Sequence, residues 1–327
     1  MYINQQIIPV QGLLHMSLPW IMEKLNKCLI LDYNPHCNNG GMEMKIGVNT
    51  WVWCSPLTTE RLLEIIPKAK GIGFDAVEIA AEDWSLLDTK KIRKELEEAN
   101  MGVTVCGAFG PDRDLIHEDE KIRENAMNYV VQTIQNTREL GGSLFAGPIY
   151  SAVGKARPTT EEEKKIEKEY FFNAMKKITE VARENGVTLG LEPLNRFETD
   201  FVNTVEQAVQ LVDLVDHPNL GIHLDTFHMG IEEKNMPEAI RTAGHRLKHF
   251  HACENDRGTP GTGLVQWEEI KTALSDINYK GFLTIESFTP GVIEIAKAAA
   301  IWRPLETSQD KLAKDGHDFL RNLISNH

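Results

Sequence analysis

Four short segments in the second half of the chain each end on a residue that can bind a metal. The segments read TLGLE, LGIHLD, LKHFH and LTIE, and their last residues are Glu192, Asp225, His251 and Glu286. In three of them, the alternation places the large apolar residues on one face and the terminal ligand on the other. Side chains of a strand alternate between two faces, so one face can pack on helices while the other points to a shared centre. Three carboxylates and one imidazole meeting there would form a divalent-metal site.

Each of these residues also has an ordinary structural explanation when it is taken alone. Glu192 and Glu286 could be loop carboxylates, Asp225 could be the N-cap of a following helix, and His251 could be a buried core histidine. Four consecutive strands that deliver one ligand each, at the same end, favour the metal site. The mixed oxygen and nitrogen set suits Mn²⁺, Mg²⁺ or Co²⁺ better than structural zinc.

The elements that must position these residues form an alternating pattern from residue 45 onward. Eight strands are predicted, at 46–51, 76–80, 103–108, 144–149, 188–193, 220–225, 247–252 and 282–286. Helical periodicity lies between them, and a further helix is predicted at 309–324. No glycine-rich phosphate loop follows the first strand, which disfavours a doubly wound sheet. The pattern predicts an α/β fold, a single (β/α)₈ barrel over residues 44–327 with an additional C-terminal helix.

Composition narrows the functional classes. The chain has 327 residues, 42% of them hydrophobic and 25% charged, with a formal net charge of −13. An acidic balance argues against a nucleic-acid partner, which would need clustered Lys and Arg. Five scattered cysteines without a C-x-x-C pair fit the reducing cytoplasm.

The first 43 residues differ from the rest of the chain. The apolar stretch 7–22 is broken by Pro9 and Pro19 and is too short to cross a membrane, so no membrane association is expected. It lacks the basic start and cleavage site of a secretory signal. Residues 1–43 are interpreted as a poorly ordered extension or a mis-assigned start, with Met42 or Met44 as the true first residue.

Four longer motifs resemble a known family. EPLNRFE (192–198), LDTFHM (224–229), HFHACENDRG (249–258) and IESF (285–288) are similar to the motifs of the D-tagatose 3-epimerase and D-allulose (psicose) 3-epimerase family. These enzymes belong to the xylose isomerase-like TIM barrels. The resemblance implies that Glu192, Asp225, His251 and Glu286 hold one divalent cation, Mn²⁺ first, with Co²⁺ or Mg²⁺ as alternatives. It also implies a homodimer or homotetramer, and substrate-binding roles for Glu198, His228, Arg257, Cys106 and Gly107.

The implied reaction is epimerisation of a ketose at carbon 3, as between D-fructose and D-allulose or D-tagatose and D-sorbose. A proton next to a carbonyl is removed and returned on the opposite face, through a cis-enediolate. Glu192 and Glu286 would act as acid and base. The alternatives are an aldose–ketose or hydroxypyruvate-type isomerase, a more distant endonuclease-IV-like hydrolase, and a non-catalytic sugar-binding barrel.

Aromatic residues near the ends of the first, third and fourth strands suggest a wall for the distal carbons of the sugar. The sequence departs from well-known members of the family at Asn49, where they often carry an aromatic residue, and after Ser151, where some have tryptophan. The preferred ketose is therefore left open. The candidate wall residues are Trp51, Trp53, Phe109 and Tyr150.

Overall fold

The strands of the barrel follow one another in chain order. The computed structural model of the protein describes residues 44–288 and 300–325. Neighbouring strands pair in parallel, and the last pairs with the first to close the barrel. This confirms the predicted (β/α)₈ fold. The strands are β1 Lys45–Asn49, β2 Ala76–Ala81, β3 Gly102–Gly107, β4 Leu144–Gly147, β5 Thr188–Leu191, β6 Leu220–Asp225, β7 Leu247–His251 and β8 Phe282–Ile285.

Helices follow the strands and cover the outside of the barrel. Within the described ranges there are nine α-helices, and the sixth strand is followed by two of them. The helices are α1 Thr59–Ile72, α2 Thr89–Glu98, α3 Glu120–Glu139, α4 Glu161–Asn185, α5 Val205–Val215, α6 Thr226–Glu232, α7 Met236–Ala243, α8 Trp267–Asp276 and α9 Gln309–Ser325. The predicted C-terminal helix at 309–324 is α9.

Several predicted strands end one or two residues too late. The first was predicted to continue to residue 51, but β1 ends at Asn49 because its side chain accepts the N–H of Trp51 and caps a 3₁₀ turn, Thr50–Val52. The fourth was predicted to reach residue 149, but β4 ends at Gly147. The prediction for residues 1–43 falls outside the described ranges.

The helices begin where polar side chains can accept their free N–H groups. Thr160 and Glu163 form a reciprocal capping box at the start of α4, and Thr204 forms another with Gln207 at α5. These caps fix the helices that pack on the outward faces of β4 to β6, where Leu189, Leu191 and the other outward residues are fully buried. The strand ends are thereby held in one layer.

The interior of the barrel is unusually polar beneath its carboxyl end. The inward faces of β1, β2, β3, β6 and β7 carry buried side chains with hydrogen-bonding atoms, namely Asn49, Glu78, Thr104, His223, His249 and His251. Buried polar groups are costly unless they are hydrogen-bonded. This interior layer therefore has a specific arrangement, which is described below.

The C-terminal helix completes the outer ring of helices and packs on β8 and β1, between α8 and α1. In α9, Leu312 and Leu320 are fully buried, and Arg321 pairs with Asp75 at 2.8 Å. Among residues 44–288 and 300–325, no helix combines the length and the apolar character needed to cross a bilayer.

Candidate active site

The four residues predicted as metal ligands lie together at the carboxyl end of β5 to β8. His251 Nδ1 is 3.8 Å from Asp225 Oδ2 and 3.5 Å from Glu286 Oε2. One ligand atom each of Asp225, His251, Glu286 and Cys253 lies within 4.8 Å of the others, and Glu192 forms a second such group with Asp225 and His228. Asp225 is common to both groups, so all four predicted ligands border one small volume.

The residues of this volume fit a divalent cation. His251 Nδ1 is completely buried and has no hydrogen-bond partner among the described residues, although it faces two carboxylates. Buried polar atoms are almost always paired, so an orphan aimed at carboxylates indicates a missing partner. A bound cation would satisfy the imidazole lone pair and the carboxylate charges together. Oxygen and imidazole donors suit a cation such as Mn²⁺, Mg²⁺ or Co²⁺.

Asp225 has two structural duties at once. Its Oδ1 accepts the N–H of Phe227 at 2.7 Å and caps α6, while Oδ2 faces the centre and accepts from Arg257 at 2.7 Å. The N-cap explanation that the sequence left open is therefore correct, and it does not exclude a ligand role because each oxygen has a separate task.

Burial and neighbouring charges separate the carboxylates of the site. Burial raises the pKa of Glu192 well above its ordinary value, and the charges of Glu286 and Asp225 add to this effect despite nearby His251. Burial also acts to raise the pKa of Asp225, but the charge of Arg257 and the nearby imidazole of His251 outweigh it and hold that pKa well below the usual range. Two neighbouring acids with opposite shifts are a common arrangement for acid–base work.

Arg257 is held between aromatic rings and carboxylates. Its guanidinium stacks 4.2 Å from the ring of Phe227 and 5.1 Å from that of Phe288. Nη1 donates to Asp225 and, at 2.5 Å, to Glu286 Oε2. The backbone has φ +65°, a conformation that costs a non-glycine residue about 1–3 kcal/mol. Its carbonyl accepts from Ser287 Oγ at 2.7 Å, which helps to hold this loop conformation.

His228 presents an N–H to the site. Burial lowers the pKa of His228 to about 4, so the ring is neutral at pH 7. Its Nδ1 accepts the main-chain N–H of Asn195 at 3.1 Å, which places the ring proton on Nε2. Nε2 lies 3.8 Å from Glu192 Oε1. Asn195 also donates its amide to Glu198 Oε1 at 2.8 Å, so one residue orients two of the predicted substrate-binding side chains.

A cavity of about 420 Å³ opens above these groups. It is lined by Glu192, Glu286 and all five predicted substrate-binding residues, Glu198, His228, Arg257, Cys106 and Gly107. Asp225 and His251 lie beneath it and are almost fully buried. Burial raises the pKa of the Cys106 thiol well above its usual range, so this group is neutral.

The predicted aromatic wall is correct in part. Trp51 and Phe109 line the cavity together with Phe288. The prediction is wrong for Trp53, whose indole N–H donates to Asp310 on α9, and for Tyr150, whose buried hydroxyl donates to the carbonyl of Glu192. Both side chains point away from the cavity, and the hydroxyl of Tyr150 supports the loop that carries Glu192.

Glu78 is a charged residue of the site that the sequence analysis missed. It lies in the middle of β2, is completely buried, and its Oε1 is 2.6 Å from His251 Nε2. Burial acts to raise its pKa, but His251 and His249 hold the pKa of Glu78 well below the ordinary value. A single carboxylate in the apolar strand AVEIAA was the available signal.

Known proteins are similar to this chain in fold and in sequence. The family model described as xylose isomerase-like TIM barrel matches residues 66–323. A probable ketose 3-epimerase of Synechocystis sp. is 34% identical over 279 residues, which cover 85% of this chain and 96% of the relative. The chain belongs to the ketose 3-epimerase family of xylose isomerase-like barrels.

Two further relatives support this family assignment. A D-psicose 3-epimerase of Ruminiclostridium cellulolyticum is 34% identical over 80% of this chain and 92% of its own length. The structure of a D-allulose 3-epimerase from Methylomonas sp. in complex with D-allulose superposes with a TM-score of 0.80 at 30% identity, covering 86% of this chain and 97% of that one. The predicted family and enzyme class, an isomerase of the ketose 3-epimerase type, are thereby confirmed.

Proposed function

We propose that the protein catalyses metal-dependent epimerisation of a free ketose at carbon 3, such as D-fructose to D-allulose or D-tagatose to D-sorbose. The observation that carries this proposal is the single cavity that brings two acid–base carboxylates, one imidazole N–H and one guanidinium together. Its volume of about 420 Å³ lies within the range of small-molecule sites, roughly 300–1,000 Å³. The names of the relatives support a sugar of this class.

Glu192 and Glu286 are the proposed acid and base. They come from β5 and β8, on different sides of the cavity, so one can remove the proton from carbon 3 while the other returns it on the opposite face. In one direction Glu286, ion-paired to Arg257, removes the proton, and Glu192, whose pKa is raised by burial, returns one. The roles exchange in the reverse reaction.

Glu192, Asp225, His251 and Glu286 are the proposed ligands of the metal, with Mn²⁺ as the first choice and Co²⁺ or Mg²⁺ as alternatives. A divalent cation supplies Lewis-acid stabilisation of negative charge on the sugar oxygens. The fit rests on the orphan Nδ1 of His251 and on the carboxylates that face it.

The remaining polar groups orient the sugar. Arg257 Nη2 lies 3.1 Å from His228 Nε2, and with a sugar bound either nitrogen can donate to the oxygen that becomes negatively charged. Glu198, anchored by Asn195, can accept from a hydroxyl group. Cys106 and Gly107 form the side of the cavity opposite these groups, where small side chains leave space for the sugar ring or chain.

Two earlier predictions remain proposals. We infer a cytoplasmic enzyme, because the three cysteines in the described ranges, Cys54, Cys106 and Cys253, are free. A homodimer or homotetramer is proposed from the family resemblance alone.

The test is a panel of ketohexoses and ketopentoses incubated with the purified protein and Mn²⁺ in D₂O. Deuterium appearing at carbon 3, together with the 3-epimer in the NMR spectrum, supports the proposal. Exchange at carbon 1 with formation of an aldose would instead identify an aldose–ketose isomerase. Turnover of no ketose in the presence of bound Mn²⁺ would contradict both.

A further inference from the structure

Glu78 lies one layer below the proposed metal centre, and both of its carboxylate oxygens accept hydrogen bonds. Oε1 accepts from Asn49 Nδ2 at 3.0 Å and lies 2.6 Å from His251 Nε2. Oε2 accepts from Thr104 Oγ1 at 2.9 Å and lies 2.6 Å from His249 Nε2. An ionised carboxylate accepts only, and it offers about four lone-pair positions. The surroundings of Glu78 therefore match a carboxylate that is fixed in one orientation.

The contact with His251 decides which imidazole nitrogen faces the centre. Because Nε2–H donates to Glu78, the lone pair available to a metal is on Nδ1 once that nitrogen has lost its proton. Nδ1 points to Asp225 and Glu286. Among the described residues His251 Nε2 has no other hydrogen-bond partner, so without Glu78 the ring would lose its orientation. Outer-sphere carboxylates that bind the far nitrogen of a histidine ligand fix its tautomer and raise its basicity.

Asn49 connects the same carboxylate to the acid–base machinery. Its Nδ2 lies 3.0 Å from Glu78 Oε1 and 3.5 Å from Glu286 Oε1. Its Oδ1 accepts the N–H of Trp51, which fixes the amide so that Nδ2 must face the two glutamates. Asn49 is thus part of the support of Glu78.

We propose that Glu78 is a positioning residue of the metal centre, which sets the orientation of His251 and through it the affinity for the cation. This inference rests on the proposed metal centre, and it adds a residue outside the ligand set. Glu78 lies beneath the cavity rather than on its lining, so it acts on the sugar only through His251 and Asn49.

The test compares two variants that remove different properties of Glu78. Glu78→Gln keeps the size but removes the charge, and Glu78→Asp keeps the charge but withdraws it from His251. The readout is the dissociation constant for Mn²⁺, measured by isothermal titration calorimetry on protein that circular dichroism shows to be folded. Both variants are expected to bind Mn²⁺ about 10–100-fold more weakly than wild type, and kcat at saturating Mn²⁺ should recover far more than the affinity.

The matched control is Glu167→Gln, which alters a buried, ion-paired glutamate of α4. Glu167 contacts Lys155 Nζ at 3.1 Å and Arg157, and it does not line the cavity or the metal centre. This variant is expected to melt at a lower temperature but to bind Mn²⁺ within about twofold of wild type. The comparison separates a general loss of buried charge from a loss at the centre.

Three outcomes distinguish the possibilities. If wild type binds Mn²⁺ and both folded Glu78 variants bind it equally well, Glu78 has no positioning role and the proposed function survives. Wild-type affinity in Glu78→Asp together with weak binding in Glu78→Gln would also overturn the inference, because it would show a need for charge only. If wild type itself binds neither Mn²⁺, Co²⁺ nor Mg²⁺, the metal centre of the proposed function fails and this inference with it. Should Glu78→Gln not fold, Glu78→Asp alone decides.

Discussion

The two halves of the barrel contribute different things at the same end. Strands β5 to β8 each lead directly to a charged or imidazole side chain, Glu192, Asp225, His251 and Glu286. At the equivalent end, β3 and β4 finish on Gly107 and Gly147, β1 finishes on the amide Asn49, and β2 leads to Glu82, whose carboxylate accepts the N–H of Leu57.

One half of the barrel carries the residues proposed to react with the sugar, and the other half shapes the cavity that the sugar would occupy. The second half concentrates negative charge around His251 and Arg257, whereas the first half contributes strand-end glycines and the rings of Trp51 and Phe109, which line the cavity. Glu78 also belongs to the first half, but it lies one layer deeper, where it supports the charged half instead of touching the cavity. A sugar site on this barrel therefore depends on the space and the apolar wall of the first half as well as on the charged groups of the second.

The largest expected effect is in the charged half, at the proton-transferring carboxylates. Glu192→Gln and Glu286→Gln remove one acid–base group each with little change of volume, and kcat should fall by about 10²–10⁴-fold. Each variant should still exchange the carbon-3 proton of the one epimer whose proton faces the remaining glutamate, as measured by deuterium wash-in. More than one tenth of wild-type kcat in either variant would show that the altered residue is not a proton carrier.

Removal of the metal by a chelator tests the same half of the barrel. Dialysis against EDTA should reduce activity by about 10²-fold or more, and Mn²⁺ should restore it.

Burial acts to lower the pKa of His251, but the carboxylates of Glu78 and Glu286 hold it well above the ordinary value, and the pKa of Glu192 is also raised. Protons on these two ligands must leave before the cation binds, so Mn²⁺ affinity should rise with pH, by about tenfold per unit for each proton displaced.

Proton release can be measured directly. Calorimetric titrations with Mn²⁺ in two buffers of different ionisation enthalpy should give different apparent heats. Identical heats in both buffers would mean that no proton is displaced, which would contradict protonated His251 and Glu192 in the metal-free protein.

The space-giving half is tested at Gly107. A Cβ added there would lie 2.6 Å from the ring of Phe109 and 2.8 Å from that of Phe145, so Gly107→Ala must push two aromatic rings, one of which lines the cavity. Overpacking of this kind costs about 1–3 kcal/mol, and KM for the ketose should rise roughly tenfold with a smaller change in kcat.

Gly71 offers the matched control for that substitution. It lies in α1, and an added Cβ would meet nothing within 4 Å. Gly71→Ala should leave KM unchanged and raise the melting temperature slightly, since alanine is favoured over glycine in a helix by up to about 1 kcal/mol. Equal KM values for the two alanine variants would show that the space at Gly107 is not used by the sugar.

The smallest expected effect lies at the boundary between the halves. Lys155, in the loop after β4, pairs with Asp114 at 2.9 Å and with Glu167, and its backbone bridges to Thr199 beside Glu198. Lys155→Met removes the buried cation and should loosen the loop that carries Glu198. We expect a several-fold rise in KM and a lower melting temperature. Lys164→Met, at an exposed pair with Glu161, should change neither by much.

The sequence predicted the fold and the convergence of four strand-end residues because both depend on regular patterns. Strand alternation assigns parity, and parity with strand order is enough to bring Glu192, Asp225, His251 and Glu286 to one centre. Strand ends were less predictable, since side-chain caps such as that of Asn49 end a strand earlier than its apolar pattern does.

Other features depend on the directions in which side chains point, which the sequence pattern does not give. Tyr150 and Trp53 follow strand ends as Trp51 and Phe109 do, yet only the latter two face the cavity, because the turn after each strand decides where the next side chains point. Glu78 was missed because the sequence pattern points to residues at strand ends, whereas Glu78 lies in the middle of β2. Its significance depends on contacts with residues 26 to 173 positions away in sequence, which no local pattern contains.

The double use of Asp225 affects how such chains can change over evolutionary time. Because its Oδ1 caps α6, replacing it by an apolar residue would cost helix stability of about 0.5–2 kcal/mol even in a protein that had no use for a cation. A non-catalytic descendant is therefore expected to keep Asp, Asn or Ser at this position, while Glu192 and Glu286 are free to drift. In surveys of related sequences, an aspartate here is weak evidence of retained activity, and the two glutamates are the positions to examine.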